Sequence, residues 1–350
     1  MKMSSTNPVG LQGIEFVEFA SKNPQHLDIL FKTFGFSKTQ KHKDSDIIHY
    51  EQNQIHFLLN NSLGSMAEKF TETHGPSICS MGWRVINAQA AFKIAVERGA
   101  KPCPTPDLKK IDGQALPAIY GIGDSLIYFV DQWNEKDFYS KLGFVNLEKQ
   151  ELQPSKGFIA IDHLTNNVYK GTMEQWANFY KDIFGFTEVR YFDIRGAKTG
   201  LVSFALKSPD GSFCIPINEG TEDKSQINEY LREYKGPGIQ HLAFLTEDIL
   251  MSLKQLEGSP IETLDIDDEY YQDIFKKFPK VTESHEDIKK YQVLVDGDDD
   301  GYLLQIFTKN IIGPIFIEII QRKNHYSFGE GNFGALFRSI ERDQQKRGTI

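Results

Sequence analysis

Cysteine is scarce in this chain: Cys79, Cys103 and Cys214 are three among 350 residues, odd in number and far apart. That spacing excludes a disulfide framework and a C-x-x-C metal knuckle, so any metal ion must be held by histidine and carboxylate. Basic residues are also in short supply. Lys and Arg total 39 against 48 Asp and Glu, a formal net charge of −9, the wrong sign for a protein that makes many phosphate contacts on nucleic acid or an anionic membrane. No uncharged apolar run of about 18 residues occurs, and the opening MKMSSTNPVGLQGIEF lacks the unbroken apolar segment of a secretory signal. A cytoplasmic location is expected, with neither nucleic acid nor membrane as partner.

The remaining composition, 40% hydrophobic and 25% charged, is ordinary for a soluble globular protein. At 350 residues the chain exceeds what one hydrophobic core usually serves, so two domains are expected. An internal repeat supports this. GIEFVEF runs through a helical stretch into LFKTFGF, and AIDHLT runs through EQWANFYKDIFGF to the same Phe-Gly-Phe ending. GPSICSMGWRV with AQAAFKIAVERG matches GPGIQHLAFLT with ILMSLKQLEG, each a strand followed by a helix. Four strand-helix-strands units result, two per half, and the polar, Pro-containing KQELQPSK divides them into residues 1–152 and 153–350.

Overlaying the copies sets His163 opposite Phe16, His241 opposite Ser80 and, by matching SLIYFVD to PIFIEII, Glu318 opposite Phe129. Glu318 stands in GPIFIEIIQR, where both faces of a period-two strand are otherwise apolar. An unpaired carboxylate there would be neutralised; it must reach solvent, pair with a group such as Arg322, or meet a metal. Three potential ligands confined to one half, at places where the other half has none, favour the metal. Two imidazoles and one carboxylate form the facial triad of non-haem Fe(II) oxygenases, with zinc as a further possibility. The 26 Phe residues suit an aromatic pocket and dioxygen chemistry better than hydrolysis.

Other motifs carry less. GEGNFG at 329–334 matches a dinucleotide fingerprint but lies 16 residues from the C-terminus, too close for the helix, strand and acid that must follow. DGDDDG at 296–301 starts like a calcium loop, yet its twelfth position is Phe307, and it reads as a solvated acidic turn. His49 and His56 flank the hairpin-like YEQNQI with no carboxylate partner evident and read as structural or exposed; His26, His42, His74, His285 and His325 stand in polar stretches. GNFGALFRSIERDQQKRG reads as a helix capped by Asn332 and ended by Gly348, with Phe333, Leu336, Phe337 and Ile340 on one face. That face either packs into the core or forms a lid over a pocket.

Taken together, IDHL, PINE, SQI, GIQHLAF, LLQIFTK, FIEIIQR and FGEGNFGALF closely resemble the 4-hydroxyphenylpyruvate dioxygenase family of the vicinal-oxygen-chelate superfamily. The resemblance implies an α+β fold of two domains, each a half-barrel of paired βαβββ units, with Fe(II) only in the second and a C-terminal lid helix. It implies that His163, His241 and Glu318 are the iron ligands and that Ser203, Asn218 and Gln240 recognise the substrate phenol. Strand parity sets Gln240 and His241 on opposite faces, so Gln240 reaches the pocket only if the strand bends. Gln226 and Gln305 match further polar pocket positions, and Phe307, Phe328, Phe333 and Phe337 the aromatic wall and lid. The implied reaction converts 4-hydroxyphenylpyruvate and O2 to homogentisate and CO2 in tyrosine breakdown, in a homo-oligomer, dimer or tetramer. Hydroxymandelate synthase is the nearest alternative, which Phe333 and Pro216 disfavour; a non-catalytic binder of small aromatics on the same fold is the other.

Overall fold

The computed structural model describes residues 4–195 and 199–348. Its first sheet contains β1 (Leu11–Ala20), β2 (Ser37–His42), β3 (Ile47–Gln52), β4 (Ile55–Asn60), β5 (Ser77–Val85), β6 (Ala118–Tyr120), β7 (Leu126–Val130) and β8 (Phe144–Glu151), in the order β6-β7-β5-β1-β4-β3-β2-β8. The second contains β9 (Phe158–Val168), β10 (Thr187–Arg195), β11 (Gly200–Lys207), β12 (Cys214–Gly220), β13 (Gly238–Thr246), β14 (Leu294–Gly297), β15 (Tyr302–Phe307) and β16 (Phe316–Lys323). Their order is β10-β11-β12-β9-β13-β16-β15-β14. Both sheets curl into half-barrels with helices packed against them, an α+β architecture.

The repeat sets this arrangement. β1 joins β5 antiparallel and β4 parallel, as β9 joins β13 and β12. The helices fall where apolar residues recur at three- and four-residue spacing: Met173–Phe184 buries Ala177, Tyr180, Ile183 and Phe184 and ends at Gly185 in the left-handed region, φ 79°. Paired strand residues share a face, so the register tests the overlay directly. Phe16 faces Gly82 as His163 faces Ala243, and Gly82 pairs with Tyr128 as Ala243 pairs with Glu318. The counterpart of Glu318 is therefore Tyr128, not Phe129. The short β7 offers no polar landmark, and a one-residue slip in matching it exchanges its faces.

Where the second half sets His163 and Glu318, the first sets the rings of Phe16 and Tyr128. Phe16, Leu58, Leu126, Tyr128, Phe138 and Phe144 belong to one buried apolar cluster inside the first half-barrel. On the opposite faces the sheets share a larger core. Phe244 of β13 lies 5.7 Å from the Phe34 ring and 6.0 Å from Phe57, and Trp83 of β5 lies 4.9 Å from Phe184. Polar ties cross as well: His74 Nδ1 donates to the Tyr234 carbonyl at 2.7 Å, and His26 Nε2 to that of Ile311 at 3.0 Å. Among the described residues no helix is long and apolar enough to cross a membrane.

Candidate metal centre

β16 is buried on both faces from Phe316 to Gln321, and Glu318 is only 3% exposed. Arg322 does not serve as its partner. The Arg322 guanidinium turns to Asp162, donating Nε to Oδ2 at 2.8 Å and Nη2 to Oδ1 at 2.7 Å. Glu318 instead meets the two histidines: His163 Nε2 stands 3.0 Å from Oε2, and His241 Nε2 stands 3.4 Å from the same oxygen. One ligand atom from each of the three lies within 4.8 Å of the others, and all three side chains are buried.

Each imidazole is held from behind. His163 Nδ1 donates to Asp162 Oδ1 at 2.8 Å, and His241 Nδ1 donates to Gln240 Oε1 at 3.2 Å while the ring stacks 4.7 Å from Phe316. Such partners fix the tautomer that leaves Nε2 to face an ion. Burial presses the His163 pKa downward, but the Glu318 charge and the hydrogen bonds that the imidazole donates to Asp162 and Glu318 outweigh it and lift the imidazole to about 9. Burial alone would raise Glu318; the His163 charge and the His163 hydrogen bond are the chief causes that hold it below its ordinary value. At His241 burial prevails over Glu318 and the pKa falls. Neutral His241, with its proton on Nδ1, turns an Nε2 lone pair toward a carboxylate oxygen. A shared cation relieves that opposition, and the donor set suits a divalent transition metal.

The three residues open on a cavity with aromatic walls. Phe307, Phe328, Phe333 and Phe337 line it, with Ser203, Asn218, Gln226 and Gln240 as polar positions. Gln240 gets there through an irregularity: pairing jumps from Ile239–Asn166 to His241–Thr165, leaving Gln240 as a bulged residue. Asn218 Nδ2 donates to Asn167 Oδ1 at 3.3 Å, which leaves its own amide oxygen for the cavity. Gln305 is not brought to this wall. It is 1% exposed, neither amide atom has a partner among the described residues, and it lies beneath Gly329. Gly329 has φ 75°, a conformation that favours glycine, and a Cβ there would press on the Gln305 amide.

The C-terminal helix spans Phe333–Arg347 and ends at Gly348, φ 75°. Phe333, Leu336, Phe337 and Ile340 all face the cavity. Asn332 does not cap with its side chain: its Oδ1 accepts from the Tyr270 hydroxyl at 2.6 Å. Sequence reasoning missed Phe192, whose ring meets Phe333 edge-on at 5.2 Å, and with it Ile194, Leu201 and Thr165 on the cavity wall. Period-two alternation in YFDIR carried the signal for Phe192 and Ile194. It also missed Asp162 and the carbonyls of His325 and Ser327, which take Arg322 Nη1 at 3.1 and 2.6 Å and tie the His163 support to the segment before the lid helix.

The family model described as hydroxyphenylpyruvate dioxygenase, N-terminal, matches residues 5–146, and that of the glyoxalase/bleomycin resistance protein/dioxygenase superfamily matches residues 160–306. The 4-hydroxyphenylpyruvate dioxygenase of Legionella pneumophila (strain Corby) is 44% identical over 354 residues, 99% of both chains. The chain belongs to the hydroxyphenylpyruvate dioxygenase family. Protein MelA of Shewanella colwelliana is 60% identical over 348 residues, again 99% of both chains. Among solved structures, a xylose isomerase-like TIM barrel/4-hydroxyphenylpyruvate dioxygenase fusion protein matches with TM-score 0.81 and 28% identity, covering 97% of this chain and 54% of that one. In this family the chain is an oxidoreductase of the dioxygenase class.

Proposed function

We propose that the chain converts 4-hydroxyphenylpyruvate and O2 to homogentisate and CO2, a step of tyrosine breakdown, with Fe(II) held by His163, His241 and Glu318. The observation that carries this reading is the convergence of these three buried ligand atoms at one end of a cavity walled by phenylalanine. Bound there, ferrous iron would supply the electron transfer that lets triplet O2 react, with coordination positions left for the 2-oxo acid. The atoms balance without a second organic substrate: the keto acid side chain loses CO2 and takes up one oxygen, and the ring takes the other.

The protein's own part is positional. Asp162 and Gln240 hold the two imidazoles in the liganding tautomer. Ser203 and Asn218, cross-strand partners on β11 and β12, offer a hydroxyl and an amide on one face to a phenolic oxygen. Phe328, Phe333 and Phe337 exclude water and hold the substrate ring in reacting distance. Pro216 and Phe333 both line the cavity, which supports ring hydroxylation over the hydroxymandelate outcome. Incubation of the protein with Fe(II), ascorbate and 4-hydroxyphenylpyruvate in air should yield homogentisate with matched CO2 release. Hydroxymandelate as the main product, or substrate binding without O2 uptake, would replace this reading with one of its alternatives.

A further inference from the structure

A second set of two imidazoles and one carboxylate stands in the first sheet. In the β3–β4 hairpin Glu51 and His56 are direct cross-strand partners, and His49 pairs with Leu58. Residues two apart on a strand share a face, so His49, Glu51 and His56 point the same way. Nε2 of His49 lies 3.0 Å from Nδ1 of His56, and Glu51 Oε2 lies 3.9 Å from that Nδ1. One ligand atom from each falls within 4.8 Å of the others, the same closeness as in the second-half triad. The sequence showed no carboxylate for this pair because Glu51 sits inside the hairpin, and only strand pairing sets it beside His56.

Two further features belong to a built site. The register of β2 on β3 passes from Lys38–Tyr50 to Gln40–His49, leaving Thr39 as a bulged residue whose hydroxyl lies 3.2 Å from His49 Nδ1. A bulge re-aims a side chain, and a hydroxyl accepting Nδ1–H turns the Nε2 lone pair toward His56. A surface cavity also reaches all three residues, with Glu15 and Glu135 on its wall. It provides an entry path and water to complete a coordination shell. Glu51 is 44% exposed at its side chain and hydrogen-bonds the same Thr39 that stands behind His49. The neighbouring cation, Arg84, is engaged by Glu15 at 2.6 Å and lies over the Trp133 ring.

This cluster is not a remnant of the other centre. Since Phe16 corresponds to His163, the registers of β12 with β9 and β11 make Cys214, Ala205 and Lys207 the counterparts of His56, His49 and Glu51. We infer that His49, Glu51 and His56 bind a divalent metal ion of the zinc class, clipping the β3–β4 hairpin. Two nitrogens about 3 Å apart suit neighbouring metal bonds of about 2.0–2.1 Å.

The test uses full-length protein stripped of metal and titrated with Co(II) by equilibrium dialysis and visible absorption. In a His163→Ala/His241→Ala background, which removes the first centre from every arm, one equivalent of Co(II) with ligand-field bands should remain. Adding Glu51→Gln or His56→Ala should weaken it by more than the roughly 10–100-fold typical of losing a mere supporting partner. No Co(II) in the background protein, or affinity unchanged by both substitutions, would overturn the inference. Glu51→Gln, nearly isosteric and half-exposed, decides alone if His56→Ala does not fold. Neither outcome depends on the reading of the first centre.

Discussion

Glu318 and Glu18 are both carboxylates sealed inside a sheet, yet their surroundings assign them opposite charge states. Two imidazoles keep Glu318 ionised. Glu18 has the Ser80 hydroxyl and, at 2.8 Å, the Asn60 amide; burial lifts it to about 7, a rise that Ser80 resists and the Asp107 charge adds to. Between its ordinary 4.5 and about 7 the native state holds a proton that the unfolded chain has released. Stability from this group is therefore full below 4.5 and is lost as pH rises through about 7, a fall on the order of 3 kcal/mol. Glu18→Gln should remove that slope, so that urea unfolding finds the variant more stable than the parent at pH 8 and near parity at pH 4.5; parallel profiles would mean that Glu18 is not a buried proton carrier. Glu318→Ala should leave the fold intact while iron retention and turnover fall by more than about 100-fold, beyond what loss of an outer partner costs. Iron content and homogentisate formation equal to the parent's would remove Glu318 from the ligand set.

At the scale of elements, the lid helix joins a pattern that sequence shows to one that it hides. Its apolar face was legible because Phe333, Leu336, Phe337 and Ile340 keep helical spacing, and the structure turns that face to the cavity. His163, His241 and Glu318 were legible because a repeat supplies its own control: the other half shows what those strands look like without ligands. Bulges were not legible, since alternation alone does not locate an extra residue; the bulge that brings Gln240, a residue named by resemblance, to the cavity, and Thr39 behind His49, emerge only from strand pairing. Long-range ion pairs were hidden for the same reason, and Arg322 is satisfied by Asp162, 160 residues away. Phe333 is half-buried, so Phe333→Ala should cost less than the roughly 3–5 kcal/mol of a core Phe truncation. Its larger effect should be on product: the ring lies against Phe192 on the cavity wall, and without it the substrate ring is less well held. CO2 release and O2 uptake should persist while homogentisate falls, with 4-hydroxyphenylacetate or hydroxymandelate making up the difference. One-to-one coupling of CO2 to homogentisate in a folded variant would make the helix packing alone.

At the scale of the whole molecule, the two halves share the larger of the apolar clusters, while the first keeps a smaller one of its own. One large apolar cluster draws residues from both halves, Val9 to Phe337, and Phe244 stands at the junction where the outer faces of the two sheets meet. That ring is 1% exposed and lies 4.9 Å from Phe158, 5.7 Å from Phe36 and 6.0 Å from Phe57, so it touches both halves at once. Halves that share a core cannot lose their packing separately, because unfolding either one exposes the other's apolar face to water. The chain should then unfold in one transition, with Trp133 reporting from the first half and Trp176 from the second. Phe244→Ala leaves the metal ligands untouched but opens a cavity at the junction, costing roughly 3–5 kcal/mol. Single-tryptophan proteins retaining Trp133 or Trp176 should show coincident urea midpoints, and Phe244→Ala should lower both by the same amount. If only the Trp176 midpoint moved, the halves would be independent domains joined by a chain, and the first half would not be a structural support for the second.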